Sequence, residues 1–335
     1  MRPPSTPIEV PILKDLTIDN ITENVNRINA QCPDARLKYV LERLVTHMHD
    51  FARETRLSTQ EWMAGIEFLT AVGKQCTDVR QEFILLSDTL GLSLLVDSID
   101  HPKAPFSTEG TVLGPYHTHD ALPGAHGHAI SADPSGTPLL CLCRVTDSSQ
   151  RPVPDVKVDI WETDSKGSYD VQYEGYSGDN PDGRAVLKTD AEGVFWFKAI
   201  VPVPYRIPND GPVGKMLEVL GRHPWRPSHM HFMFEKGGFD HLITALYLRG
   251  DPYETSDAVF GVKESLIVDL GTVTSEQAKE YDVAEGSKLL TYDFVLETEA
   301  DTQKLRNEQA QKAMEKLGIW EGMTIINGLP VPAVD

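Results

Sequence analysis

Near residue 100 the chain changes texture, and that change constrains its fold more than any other feature. From about residue 17 to residue 100, stretches such as LKYVLERLVTHMHDFARET and RQEFILLSDTLGLSLLVDSI repeat apolar residues at steps of three and four, the period of an amphipathic helix. Beyond it come short runs rich in Val, Ile and aromatic residues, divided by the turn clusters DSSQRP, SGDNPDG, DAEG and PNDGP. PLLCLCRV, VKVDIWET, GVFWFKAIVP, MHFMFEK, LITALYLRG and LLTYDFVLE read as strands. Short strands with turns between them predict a mostly antiparallel β-sandwich. The expected fold is therefore mainly β with α. A proline-rich extended arm and a helical domain occupy residues 1–105, and a β-sandwich domain occupies residues 106–335.

Local signals refine this outline. Ser58 followed by Glu61 is a capping box that predicts a helix start. DTQKLRNEQAQKAMEKLG predicts a polar helix near the end, and GLPVPAVD an irregular tail.

With 50 acidic against 31 basic residues, the formal net charge of -19 opposes binding to nucleic acid or to an anionic membrane surface. No apolar window reaches the length of a membrane span. The four cysteines, Cys32, Cys76, Cys141 and Cys143, show no CxxC spacing, and no secretory segment precedes them. Reduced thiols in a cytoplasmic protein are the expectation. Cys141 and Cys143 sit in the alternating run LLCLCRV and read as buried hydrophobes.

The stretch RPSHMHFMF places His229 and His231 two residues apart in an apolar run. On a strand the two imidazoles project from one face, where they can grip one metal ion. An isolated HxH is more often surface or satisfied core histidine. His47 and His49 repeat the spacing on a predicted helix, where residues two apart point away from each other. The cluster GPYHTHDALPGAHGHAI, with His117, His119, His126 and His128, is rich in Gly and Pro and reads as a loop. Tyr169 and Tyr205 follow turn or proline signals near strand ends. Taken alone, each is a buried ring with a wet hydroxyl. Tyr173, Tyr176, Tyr247 and Tyr253 read the same way, although Tyr173 is close enough to Tyr169 to line a pocket.

The pieces VDIWETDSKGSYDVQY, IVPVPYRIP, GRHPWRPSHMHF and GDPYETSDAVFGVKESLIVD occur in an order and spacing that resemble the intradiol ring-cleavage dioxygenases, the catechol and hydroxyquinol 1,2-dioxygenases. The resemblance implies an N-terminal helical dimerisation domain beside a β-sandwich, a homodimer, and a phospholipid at the dimer interface. It implies that Tyr169, Tyr205, His229 and His231 bind a non-haem Fe(III). Phenolate is a hard anionic donor suited to that ion, and tyrosine, titrating near pH 10, binds as tyrosinate only beside a strongly charged cation.

The implied reaction cleaves an aromatic diol or triol with O2 between its two hydroxyl-bearing carbons, to a muconate-type diacid. Tyr205 accepts a diol proton. Arg226 stabilises negative charge gathering on the ring. Leu85 and Asp88 match a pocket leucine and an aspartate that faces a third hydroxyl, with Val112, Leu113 and Pro115 on the opposite wall. Ala245 stands where many bacterial catechol enzymes carry glutamine, which leans the expectation toward hydroxyquinol. Catechol as the main substrate, and a noncatalytic β-sandwich carrier of an aromatic ligand or lipid, are the alternatives.

Overall fold

The structure is a computed structural model that describes residues 15–77, 80–176, 178 and 180–333. All but the last two residues of the proline-rich arm lie outside the described residues. In chain order come the helices α1 (Ile21–Asn29), α2 (Ala35–Thr55), α3 (Thr59–Gln75), α4 (Glu82–Thr89) and α5 (Leu92–Asp100). Then follow β1 (Pro138–Asp147), β2 (Lys157–Trp161), β3 (Arg184–Lys188), β4 (Val194–Ile200) and β5 (Tyr205–Arg206). The helix α6 (Pro212–Val219) precedes β6 (Trp225–Arg226), β7 (His229–Glu235), β8 (Leu242–Leu248), β9 (Ile267–Val268) and β10 (Gly271–Thr272). The chain ends with α7 (Ser275–Glu280), β11 (Lys288–Leu296), α8 (Glu299–Lys316), β12 (Met323–Ile326) and β13 (Leu329–Pro332).

The chain packs as two compact units. The first joins the described residues up to Leu69 with those from Asn307 onward, and the second is Thr70–Arg306. Compactness thus groups the chain differently from secondary-structure type. In the first unit, Asp34 caps α2 by accepting the Leu37 N–H at 2.9 Å. The predicted capping box starts α3: the Glu61 N–H donates to Ser58 Oγ at 3.2 Å and the Ser58 N–H to Glu61 Oε2 at 2.8 Å. Along α2, Leu37, Val40, Leu44, Met48 and Phe51 form a stripe at steps of three and four, and all are exposed.

The tail expected to be irregular, GLPVPAVD, supplies β13 of the β12–β13 hairpin, and the expectation is corrected for its described residues. Asn327 and Gly328, both at positive φ, make the two-residue loop whose twist suits adjacent strands. The Pro330 carbonyl accepts from Arg36 of α2 at 2.7 Å.

The second unit contains a four-stranded sheet, β10-β11-β1-β4, and a five-stranded sheet, β3-β2-β7-β8-β9. Phe195, Phe197, Phe232, Phe234 and Phe294 fill the core they share. Burying such large aromatic surfaces is the dominant favourable term here. The predicted strands are present and the sandwich is mostly antiparallel, as expected, with β1 running parallel to β11 along nine residue pairs. Cys141 and Cys143 are buried on β1, as expected, and burial raises both thiols. Six of the seven residues of β7 are buried, since both faces of that strand are covered. Among the described residues no helix is long and apolar enough to cross a membrane.

Candidate metal centre and active site

The register of the five-stranded sheet places aromatic side chains on both sides of the histidine pair. Trp161 of β2 lies opposite His231, and β8 sets Tyr247 opposite His229 and Ala245 opposite His231. The Trp161 ring stacks flat on His231, with centroids 4.7 Å apart and an interplanar angle of 6°. His229 Nδ1 is 2.7 Å from the Pro227 carbonyl, so Nδ1–H donates and Nε2 keeps its lone pair. The two Nε2 atoms converge to 3.0 Å. Burial pushes the pKa of both histidines well down, aided at His231 by His229 and at each by Arg226. Both are neutral, the form that ligates a metal.

The two tyrosines reach this pair from separate loops. Tyr205 begins β5, whose pairing with β6 sets it directly opposite Arg226. Tyr169 precedes a single 3₁₀ turn, and its N–H donates to Gln172 Oε1 at 2.9 Å. The next residue, Asp170, forms a buried ion pair with Arg184, Nε to Oδ2 at 2.8 Å. This anchors the turn. The Tyr169 and Tyr205 rings meet edge to face at 5.3 Å, and Tyr205 lies 5.5 Å from the His229 ring.

Tyr169, Tyr205, His229 and His231, from four places in the sequence, are therefore assembled in one buried cluster. The Tyr169 hydroxyl is buried without a hydrogen bond to any described residue. Burial, and then the Tyr205 phenol beside it, drive its pKa up. An orphaned buried phenol next to two convergent imidazole lone pairs fits a hard cation of high charge, and two phenol oxygens with two imidazoles suit the ferric ion. Among the described residues no cluster of three or more His, Cys, Asp or Glu is disposed for a metal.

Arg226 packs against this cluster. Its Nε and Nη2 bind Asp257 Oδ1 and Oδ2 at 3.1 and 3.3 Å. Nη2 also donates to Tyr247 Oη at 3.0 Å, while Nη1 lies 3.3 Å from Tyr205 Oη and 3.1 Å from His229 Nε2. Burial works against its charge, but Asp257, Tyr205 and Tyr247 outweigh it and keep the guanidinium protonated. Asp257 is itself fixed by the Val259 and Gly261 N–H groups at 3.2 and 2.9 Å. Gly261 must lack a side chain, because a Cβ there would lie 2.6 Å from Tyr247 Oη and 2.9 Å from Arg226 Nη2. The bland reading of Tyr247 as a ring with a wet hydroxyl is corrected. It is fully buried, its hydroxyl bonds Arg226, and burial raises its pKa to about 12.

A cavity of about 330 Å³ opens beside the cluster, at the small-molecule scale. Gln81, Ile84, Asp88, Ser93 and Asp97 form one wall, and residues 111–115 with Ile243 the other. Of the expected pocket residues, Asp88, Val112, Leu113 and Pro115 line it. Leu85 is buried on the same helix but is not among the lining side chains. Tyr173 is absent from the lining too. Ala245 is fully buried beside His231. Burial raises the Asp88 carboxyl, with Ser93 and the Arg226 charge partly offsetting it.

Several neighbours escaped the sequence reading. Tyr116 stacks on Tyr169 with centroids 4.8 Å apart. Its position after Gly-Pro resembles that of Tyr205 after Val-Pro, the one available signal. His117 of the loop cluster pairs with buried Asp159 at 3.2 Å and packs edge-on against Trp161. His126 instead approaches the Lys188 carbonyl at 3.0 Å, while His119 packs edge-on against His117 with centroids 5.1 Å apart.

Residues 112–298 match the protein family described as "Dioxygenase", and residues 34–108 the one described as "Catechol dioxygenase N terminus". The chain is 68% identical over 328 residues to the intradiol ring-cleavage dioxygenase hqdA of Aspergillus niger, covering 98% of each. It is 47% identical over 277 residues to a 6-chlorohydroxyquinol 1,2-dioxygenase of Cupriavidus pinatubonensis, covering 83% of this chain and 96% of that one. Among solved structures, hydroxyquinol 1,2-dioxygenase from Pseudomonas putida DLL-E4 superposes with a TM-score of 0.78 at 42% identity, covering 84% of this chain and 99% of that one.

Proposed function

The chain belongs to the intradiol ring-cleavage dioxygenase family, and we propose that it is a non-haem Fe(III) enzyme whose main substrate is hydroxyquinol, benzene-1,2,4-triol. Both atoms of O2 enter the product as the bond between the two adjacent hydroxyl-bearing carbons breaks. Hydroxyquinol then gives maleylacetate, and catechol, the second reading, gives cis,cis-muconate. The observation that carries the choice of hydroxyquinol is Asp88, a buried carboxyl in the wall of the cavity beside the Tyr/His cluster. A third ring hydroxyl is a donor that such an acceptor satisfies, whereas an apolar wall would leave that hydroxyl unpaired at a cost of about 1 to 3 kcal/mol. The hydroxyquinol 1,2-dioxygenase names carried by similar proteins support the same reading.

Tyr169, Tyr205, His229 and His231 would hold the iron, which supplies the Lewis acidity and one-electron chemistry that let an ortho-diphenol react with O2. The chain's own groups do the rest. Tyr205 Oη takes a proton from the diol, and Arg226 Nη1, 3.3 Å from that oxygen, stabilises the negative charge left on the substrate. Trp161 and the Pro227 carbonyl fix the orientations of His231 and His229. Oxygen uptake by the purified protein with hydroxyquinol and, separately, with catechol tests the reading, with Tyr169→Phe protein correcting for spontaneous oxidation of hydroxyquinol. Equal or greater efficiency with catechol would make catechol the main substrate.

The exposed stripe on α2 supports a homodimer in which a second copy covers Leu37, Leu44 and Phe51, with a phospholipid at the interface. Light scattering and lipid extraction test these two points. A monomer across micromolar concentrations would refute the first, and a lipid-free dimer the second.

A further inference from the structure

The cavity does not end at Asp88. Asp97, in the last turn of α5, lines the same space from the same wall as Asp88 and Ser93. The facing segment runs from one landmark to another. At Gly110 a Cβ would sit 2.9 Å from Asp97 Oδ2, and at Gly114 a Cβ would sit 3.6 Å from His231 Nε2. One end of the cavity therefore lies at the Tyr/His cluster and the other at Asp97.

Asp97 Oδ2 is buried and makes no hydrogen bond to any described residue. The cations around it are engaged elsewhere. Lys103 and His101 bind Asp240 at 2.8 and 3.2 Å, and Lys263 faces Glu109 at 3.7 Å. Asp97 as a whole is partly exposed where it lines the cavity, and a carboxyl with unused acceptor capacity disfavours a ligand group that cannot donate to it.

We propose that Asp97 is a second specificity-determining residue, and that the cavity takes ortho-diphenols carrying a short side chain at ring position 4 that ends in a hydrogen-bond donor. This rests on the intradiol reading of the Tyr/His cluster and extends it to a substrate class larger than a bare triol. The ring sits at the Gly114 end, the side chain passes Asp88, and its terminal hydroxyl or ammonium reaches Asp97. An anionic end meets two carboxyls and is rejected.

The test is oxygen uptake by the iron-loaded enzyme with four catechols of matched length: 4-(2-hydroxyethyl)catechol, 4-(2-aminoethyl)catechol, 4-ethylcatechol and (3,4-dihydroxyphenyl)acetate. The expected order of kcat/KM puts both donor-ended compounds about tenfold or more above the ethyl compound, in line with the penalty for an unpaired buried acceptor, with the acetate last. Asp97→Leu should erase or invert that order through KM, whereas Asp97→Asn, which keeps the shape and one acceptor, should retain the preference for hydroxyethyl and lose that for aminoethyl. Unchanged ratios in Asp97→Leu, or a wild type indifferent between hydroxyethyl and ethyl, overturn the proposal alone. Absence of uptake with hydroxyquinol and catechol as well overturns the intradiol reading and this proposal together.

Discussion

Asp257 holds Arg226 by two hydrogen bonds, Oδ1 to Nε at 3.1 Å and Oδ2 to Nη2 at 3.3 Å, with both side chains almost wholly buried. The pairing leaves Nη1 free to point at Tyr205 and His229. It also means that the charge and the aim of the guanidinium depend on a carboxylate outside the ligand cluster.

Arg226→Ala should retain iron, seen as tyrosinate-to-iron colour, while turnover falls roughly 10²- to 10³-fold, the usual cost of removing a preorganised charge stabiliser. Asp257→Ala should do more damage to stability, because it strands a buried guanidinium, at about 3 to 5 kcal/mol in urea unfolding. Normal turnover by Arg226→Ala would remove Arg226 from the reaction.

Tyr169→Phe removes the orphaned phenol and should bleach the protein and lower its iron content by elemental analysis, as should His229→Ala. Full iron occupancy in both variants would move the metal site elsewhere.

Trp161 is not itself a proposed ligand but stacks on His231 and carries His117 on its edge. Trp161→Ala should cost about 3 to 5 kcal/mol from the lost aromatic packing. It should also weaken iron retention more than Trp161→Phe, because a phenyl ring preserves the stack.

The His101 imidazole beside Asp240 has a pKa raised above its ordinary 6.5, chiefly by that hydrogen bond, with burial partly opposing it. A raised pKa stabilises the fold fully below 6.5, and that share fades as pH climbs through the folded value. Melting temperature should therefore decline as pH rises above neutrality, and His101→Gln should flatten the decline. The imidazole is still partly exposed, which keeps the effect small. Identical pH profiles for the two proteins would show that the pair contributes nothing.

The β12–β13 hairpin packs on α2 through the Arg36 to Pro330 bond. Deleting residues 319–335 should speed amide exchange along α2, and unchanged exchange would make the hairpin a passive appendage.

The sequence by itself determined the local elements and the chemistry of the donors. Period-3.6 and period-2 patterns, the Ser58–Glu61 box and the turn clusters act over a few residues, so α2, α3 and the major strands were legible. So were Tyr169, Tyr205, His229 and His231, because four motifs in order single them out. Only the tertiary structure decided what stands beside them. Strand register alone brings Trp161 and Tyr247 to the histidines and sets Tyr205 against Arg226, and register arises from pairing between distant segments. The parallel β1–β11 ladder has the same long-range origin. The β12–β13 hairpin is different, since Asn327-Gly328 announced it locally. Asp257, Tyr116 and Asp97 gained their meaning from burial, which turns ordinary surface residue types into partners, stacking surfaces and unused acceptors once water is excluded.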